Sequence, residues 1–155
     1  MPLLLISLLS LTESETNQIR SQYRKALTDE SVIANFKTLA SKHTLHAVGK
    51  AYYGTALALE ARASWSPATK MSNAKAAHKS LNEAVKIDPA NIEIRFLRLS
   101  FANGTPDFLE MKGSMADDKK ILLQGNIKSH PINDIMQKFI ANSGLFSAAE
   151  KSAVK

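Results

Sequence analysis

The stretch Ala77-His78-Lys79-Ser80-Leu81-Asn82-Glu83-Ala84-Val85-Lys86-Ile87-Asp88-Pro89 decides the fold class of this chain. Wound at about 100° per residue, it gathers Ala77, Leu81 and Ala84 between about 180° and 240° from Lys75, and brings Lys79 and Lys86 to within about 40° of that lysine. One face is apolar and the opposite face is a row of lysines. Asp88-Pro89-Ala90-Asn91 closes the segment, because proline cannot extend a helix interior and Asn91 is a good cap for a successor.

The same three-and-four spacing recurs outward in both directions, and no segment alternates apolar and polar residues as a half-buried strand does. The chain reads as all-α, a compact bundle of about six to eight short helices. Upstream, Thr12-x-x-Glu15 has capping-box spacing and opens a helix carrying Ile19, Tyr23, Ala26 and Leu27 on one side. A second helix follows Asp29, with Val32, Ile33, Phe36, Leu39 and Ala40 as its stripe. A third runs from about Leu45 to Ala63, and its Gly49, Ala51, Gly54 and Ala58 allow a neighbouring helix to approach closely. Ser64-Trp65-Ser66-Pro67 reads as a break, so the fourth helix is expected over Ser72 to Ile87.

Downstream, Asn91 caps a fifth helix carrying Ile94, Phe96, Leu97, Leu99 and Phe101, apolar over much of its circumference and therefore central. Asn103-Gly104-Thr105-Pro106 reads as a stop and restart, with Gly104 ending one helix, Thr105 capping the next and Pro106 in its first turn. As a glycosylation sequon the same residues are disfavoured by the proline. Ser114 with Asp117 is expected to cap a helix holding Met115, Ile121 and Leu122. Pro131 starts another, holding Ile132, Ile135, Phe139 and Ile140, which Gly144 ends. Residues 13–143 form a single domain on this reading, and 144–155 form a short helix or frayed tail that buries little.

The helix pair carries a resemblance. Ala77-x-x-x-Leu81-x-x-Ala84-x-x-x-x-Pro89, preceded by Val48-Gly49-x-x-Tyr52, resembles the two halves of a tetratricopeptide repeat (TPR). In such a repeat, small residues let paired helices nest and the proline turns the chain onward. The resemblance spans about Ala47 to Asn91, with extra residues around Trp65 and Pro67. Asn91-Ile92-Glu93-Ile94-Arg95-Phe96-Leu97-Arg98-Leu99, continuing to Pro106-Asp107-Phe108, is similar to small exported proteins of Bacteroidota with no assigned activity. These likenesses imply an exported TPR-like helical domain and supply no catalytic residues.

Composition narrows the function. The 155 residues include no cysteine, which excludes disulfides, thiolate metal sites, a cysteine nucleophile and a lipid-anchored cysteine. Hydrophobic residues at 45% and charged residues at 22% suit one globular domain rather than a disordered tail. Leu3 to Leu11 is an apolar run of nine, too short for the roughly 20 residues of a transmembrane span. It fits either the core of a signal peptide within residues 1–12, and so a periplasmic or secreted protein, or an apolar N-terminal segment of a cytoplasmic one.

The formal charge of +6 is concentrated in residues 41–87, where Lys42, Lys50, Arg62, Lys70, Lys75, Lys79 and Lys86 face only Glu60 and Glu83, a local +5. Aromatic residues are not interleaved with these lysines, so the row reads as a solvated face, and nucleic acid is disfavoured as a partner. His43-x-x-His46 would place two imidazoles on one helix face, yet no acidic residue flanks them, and His78 and His130 would have to converge from elsewhere. No metal site, cofactor motif, P-loop or nucleophile elbow is legible. An acid/base pair would need carboxylates such as Glu60, Glu83 and Glu93 to meet in space.

What remains is a binding role. A helical-repeat fold offers a groove and no built-in chemistry, so the expected function is a protein or peptide interaction module. The groove is placed between the helices of 45–63 and 72–87, with Tyr52, Trp65, Arg95 and Arg98 as candidate partner-binding residues. Each has a plainer reading: Tyr52 as core, Trp65 as a plug over the inter-helix seam, and Arg95 and Arg98 as ion-pair partners of carboxylates such as Glu60 or Glu93. A small-ligand carrier or enzyme with a pocket inside the bundle is the alternative, and a basic surface for anionic partners is a third.

Overall fold

The computed structural model describes residues 11–155, and the apolar leader expected within residues 1–12 lies outside these but for Leu11 and Thr12. Among the described residues there are eight α-helices, two 3-10 turns and no strand. The helices are α1 (Glu13–Ala26), α2 (Ile33–Ser41), α3 (Ala47–Ala63), α4 (Pro67–Ile87), α5 (Ile92–Asn103), α6 (Met115–Gln124), α7 (Asn133–Asn142) and α8 (Ala148–Ala153). None of them is long and apolar enough to cross a membrane. Where the sequence predicts one domain over 13–143, the chain divides into two compact units that meet in sequence at Pro89 and Ala90.

The first unit begins with the capping box the sequence announces. The Glu15 N–H donates to Thr12 Oγ1 and the Thr12 N–H donates to Glu15 Oε2, which satisfies two orphan donors at the start of α1. Tyr23 of α1, Phe36 of α2 and Tyr52 of α3 then meet, with ring centroids 5.3 to 6.1 Å apart in tilted and edge-on arrangements. All three are buried, as are Ile19, Ile33 and Ala40 from the expected stripes.

α3 is buried around most of its circumference, so its pattern is set by close approach rather than by one apolar stripe. A Cβ on Gly54 would lie 3.0 Å from Leu81 Cγ and 3.1 Å from the Ala77 carbonyl oxygen. A Cβ on Gly49 would lie 2.1 Å from the His43 carbonyl oxygen, so the turn before α3 folds back onto its first turn. α4 lies antiparallel to α3, because Ser80 Oγ donates to the Lys50 carbonyl at one end and Asn73 Nδ2 donates to Glu60 Oε1 at the other.

α4 begins at Pro67, five residues before the expected start. Pro67 occupies the first helical position, where its missing N–H is one of the orphans in any case, and Ser66 Oγ accepts from the Thr69 N–H. The proline read as a break is a start, and the connection between the paired helices shrinks to Ser64-Trp65-Ser66.

In the second unit α5 is capped by Asn91, whose side-chain oxygen accepts from the N–H groups of Glu93 and Ile94. It buries Glu93 to Leu97, Leu99 and Ala102. Gly104 ends it as expected, but Thr105 belongs to that end rather than to a new helix: its hydroxyl donates to the Ala102 carbonyl. Only a 3-10 turn, Asp107–Leu109, follows, and Glu110 takes a left-handed φ of 54°. Ser114 makes no side-chain cap for α6: its backbone is helical (φ −91°, ψ −4°) rather than in the extended conformation typical of a capping residue.

α7 starts after Ile132, a fully buried cap residue, and Gly144 closes the region in the left-handed conformation that favours glycine (φ 77°). Of the short helix or frayed tail expected over 144–155, the structure has the helix, α8, and it is fastened. Phe146 packs edge-on against Phe139, Lys119 lies 5.3 Å over its ring, Ser147 and Glu150 form a second capping box, and the Gln137 amide donates to the Val154 carbonyl. Phe146 and Val154 are buried, so these residues anchor what composition suggested would fray.

Candidate functional site

The four partner-binding candidates fall in two places. Tyr52 and Trp65 belong to the first unit, and Arg95 and Arg98 to the second. Tyr52 has no exposed surface, being the α3 member of the aromatic trio, so it contributes packing and presents nothing to a partner. The seam where the groove was expected is filled at its middle, since Gly54 of α3 sits directly against Ala77, Ser80 and Leu81 of α4.

Arg95 and Arg98 take the ion-pairing role, with partners in α6. Asp118, with no exposed surface, accepts at Oδ1 from Arg95 Nη1 (2.9 Å) and Arg98 Nη2 (2.6 Å), and at Oδ2 from Arg98 Nε (2.8 Å). Arg98 therefore grips the carboxylate with two prongs while Arg95 shares it and reaches Asp117 Oδ2 at 2.5 Å. Burial works against the charge of Arg95, and its bonds to Asp118 and Asp117 outweigh this, holding its affinity for the proton above the ordinary arginine value.

Sequence reasoning missed this pairing, although a signal existed: Asp117-Asp118 in the first turn of an otherwise amphipathic helix matches Arg95 and Arg98 at helical spacing. Of the carboxylates expected for that role, Glu60 binds Lys37 and Asn73 instead. Buried Glu93 has its Oε1 3.9 Å from His130 Nε2, and His130 Nδ1 accepts from the Ile132 N–H.

The histidines do not form a ligand set. His43 and His46 lie on the turn before α3, not on a helix face, and His46 is the residue preceding the first turn of α3. Among the described residues, no three His, Asp or Glu side chains come close enough to hold a metal ion.

Trp65 stands apart. It is 98% exposed, so it plugs no seam. The turn that carries it is nevertheless fixed on both sides: the Ser66 N–H donates to Ser64 Oγ, and Ser66 caps α4. An indole held in water on a fixed three-residue turn forgoes the burial that normally makes tryptophan favourable in a fold.

Beyond it, Lys75, Lys79 and Lys86 are all exposed on the face of α4 turned away from Ala77, Leu81 and Ala84. No acidic residue occurs between Glu60 and Glu83. Glu83 Oε2 accepts a hydrogen bond from Lys50 Nζ of α3, and this pairing, with smaller help from Lys79 and Lys86, keeps its carboxyl below the ordinary glutamate range. No family model, no curated protein and no solved structure matches this chain.

Proposed function

We propose that this is a non-enzymatic protein-interaction module that presents Trp65 to a protein or peptide partner, on a TPR-like helix pair formed by α3 and α4. The observation that carries the reading is the near-complete exposure of the single tryptophan on a turn fixed by its own capping bonds. Tryptophan is enriched among the residues that dominate binding energy, because a large rigid side chain loses little entropy when a partner covers it. Arg95 and Arg98 play no part in this contact: their role is to neutralise Asp118. Export, which the resemblance of residues 91–108 to exported proteins implies, would place the partner outside the cytoplasm.

The test is affinity capture from the protein's own cells with the full chain and with Trp65→Ala. The variant keeps its helical circular dichroism, since Trp65 buries nothing, and loses the captured proteins. Equal capture by both chains overturns the reading.

A further inference from the structure

The geometry points to an acidic polypeptide as the partner, one that lays carboxylates along the lysine row of α4 and covers Trp65 with apolar side chains. This deepens the reading above and rests on it. Lys75, Lys79 and Lys86 fall within about 40° of arc on α4 and extend for about 17 Å along it at 1.5 Å per residue. Arg62 and Lys70, both exposed, flank the tryptophan turn in sequence.

The charge of this face exceeds its compensation within the helix pair, where Glu83 feels Lys79 and Lys86 but is bonded to Lys50. Its two carboxylates are turned to other cations, Glu60 to Lys37 and Glu83 to Lys50. An acidic chain alongside α4 supplies the missing charge, steers association and fixes register.

Two other anionic partners fit the same face less well. A bilayer is engaged by helices with a broad apolar face, and α4 has committed its apolar residues, Ala77, Leu81 and Ala84, to α3. Beside Lys75 and Lys79 the exposed positions are Ser72 and Ala76, and the one large apolar side chain that α4 exposes, Ile87, stands alone at its last residue. Single-stranded nucleic acid calls for several stacking aromatics along the basic track, and Trp65 is the one aromatic residue from position 54 to 95.

Because Trp65 is the only tryptophan, its emission reports on this site alone. The full chain is titrated with a synthetic peptide of glutamates interrupted by leucines, with a poly-lysine peptide bearing the same leucines, with phosphatidylglycerol vesicles and with single-stranded poly-uridylate. The proposal expects a blue shift with the glutamate peptide only. It also expects that Lys75→Glu, Lys79→Glu and Lys86→Glu combined weaken that binding by about tenfold or more, as does high salt.

No shift with the glutamate peptide overturns the proposal, and so does an equal shift with vesicles or poly-uridylate, or binding indifferent to the triple reversal. The two readings fail separately. Cellular capture that depends on Trp65 but survives the triple reversal keeps the interaction module and overturns the acidic partner, whereas capture indifferent to Trp65 removes both.

Discussion

The two units are built from the same kind of helix and hold themselves together differently. In the first, α3 and α4 close on glycine and alanine until backbone meets side chain, and the polar links Lys37–Glu60 and Lys50–Glu83 lie at the margin. In the second, α5 and α6 are joined through a carboxylate removed from water and shared by two guanidinium groups. The first arrangement gains by excluding water from apolar surface, whereas the second first loses hydration of three charges and must recover it through geometry. A close-packed seam is therefore vulnerable to changes of volume, and a buried ion network is vulnerable to losing one member.

The largest expected effect breaks the second unit. Asp118→Ala leaves Arg95 and Arg98 without their shared acceptor and should cost about 3–5 kcal/mol in urea unfolding followed by circular dichroism. Replacing the set together, as Arg95→Met, Arg98→Met and Asp118→Leu, should cost less than Asp118→Ala alone, because no charge is then left buried. A triple variant as unstable as the single one would show that the network is not the closed set its distances describe.

In the first unit, the matching change is Leu81→Ala, expected to cost about 2–5 kcal/mol through the void left against Gly54. A cost below about 1 kcal/mol would mean that the seam collapses around the deletion and is not close-packed there.

A smaller effect follows acidification. The bond from Lys37 holds the Glu60 carboxyl below the ordinary glutamate value of 4.5, against the opposing pull of burial and with help from Asn73. A carboxyl depressed in the folded state stabilises fully above its unfolded value, and the contribution is lost as pH falls through the folded one. Stability of the first unit should decline as pH drops below about 4.5, and Lys37→Met should flatten that decline. Identical pH profiles for the two chains would remove this link. The smallest effect concerns Trp65, whose emission should barely move between native and urea-unfolded protein because its surroundings are water in both. A large red shift on unfolding would contradict its exposure.

Much of the fold was legible where the deciding interaction is local. Thr12 with Glu15, Asn91 as a cap and Gly144 as a stop all depend on neighbours within a few residues, and each stands where its spacing places it. Pro67 was misread for an instructive reason: proline ends a helix from inside but starts one from its first position, and only the Ser66 cap distinguishes the two. Of the two readings of the tail the short helix stands, and its anchoring escaped local pattern because Phe146 and Val154 find partners distant in sequence, Phe139 and Gln137 among them. The site divided in the same manner. Lys75, Lys79 and Lys86 could be placed on an outward face by periodicity alone, whereas Tyr52, Trp65 and the two arginines each had two readings that local pattern could not separate.

By itself, then, the sequence determined that this chain is helical, where most of its helices start and stop, and which face of α4 carries lysine, because these follow from backbone hydrogen bonding and a period of about 3.6 residues. Tertiary structure alone decided that Tyr52 is core, that Trp65 is bare, and that Arg95 and Arg98 close on Asp118 across some twenty residues of chain. Burial and ion pairing depend on what the rest of the chain brings alongside, and a residue's own neighbours in sequence do not carry that information.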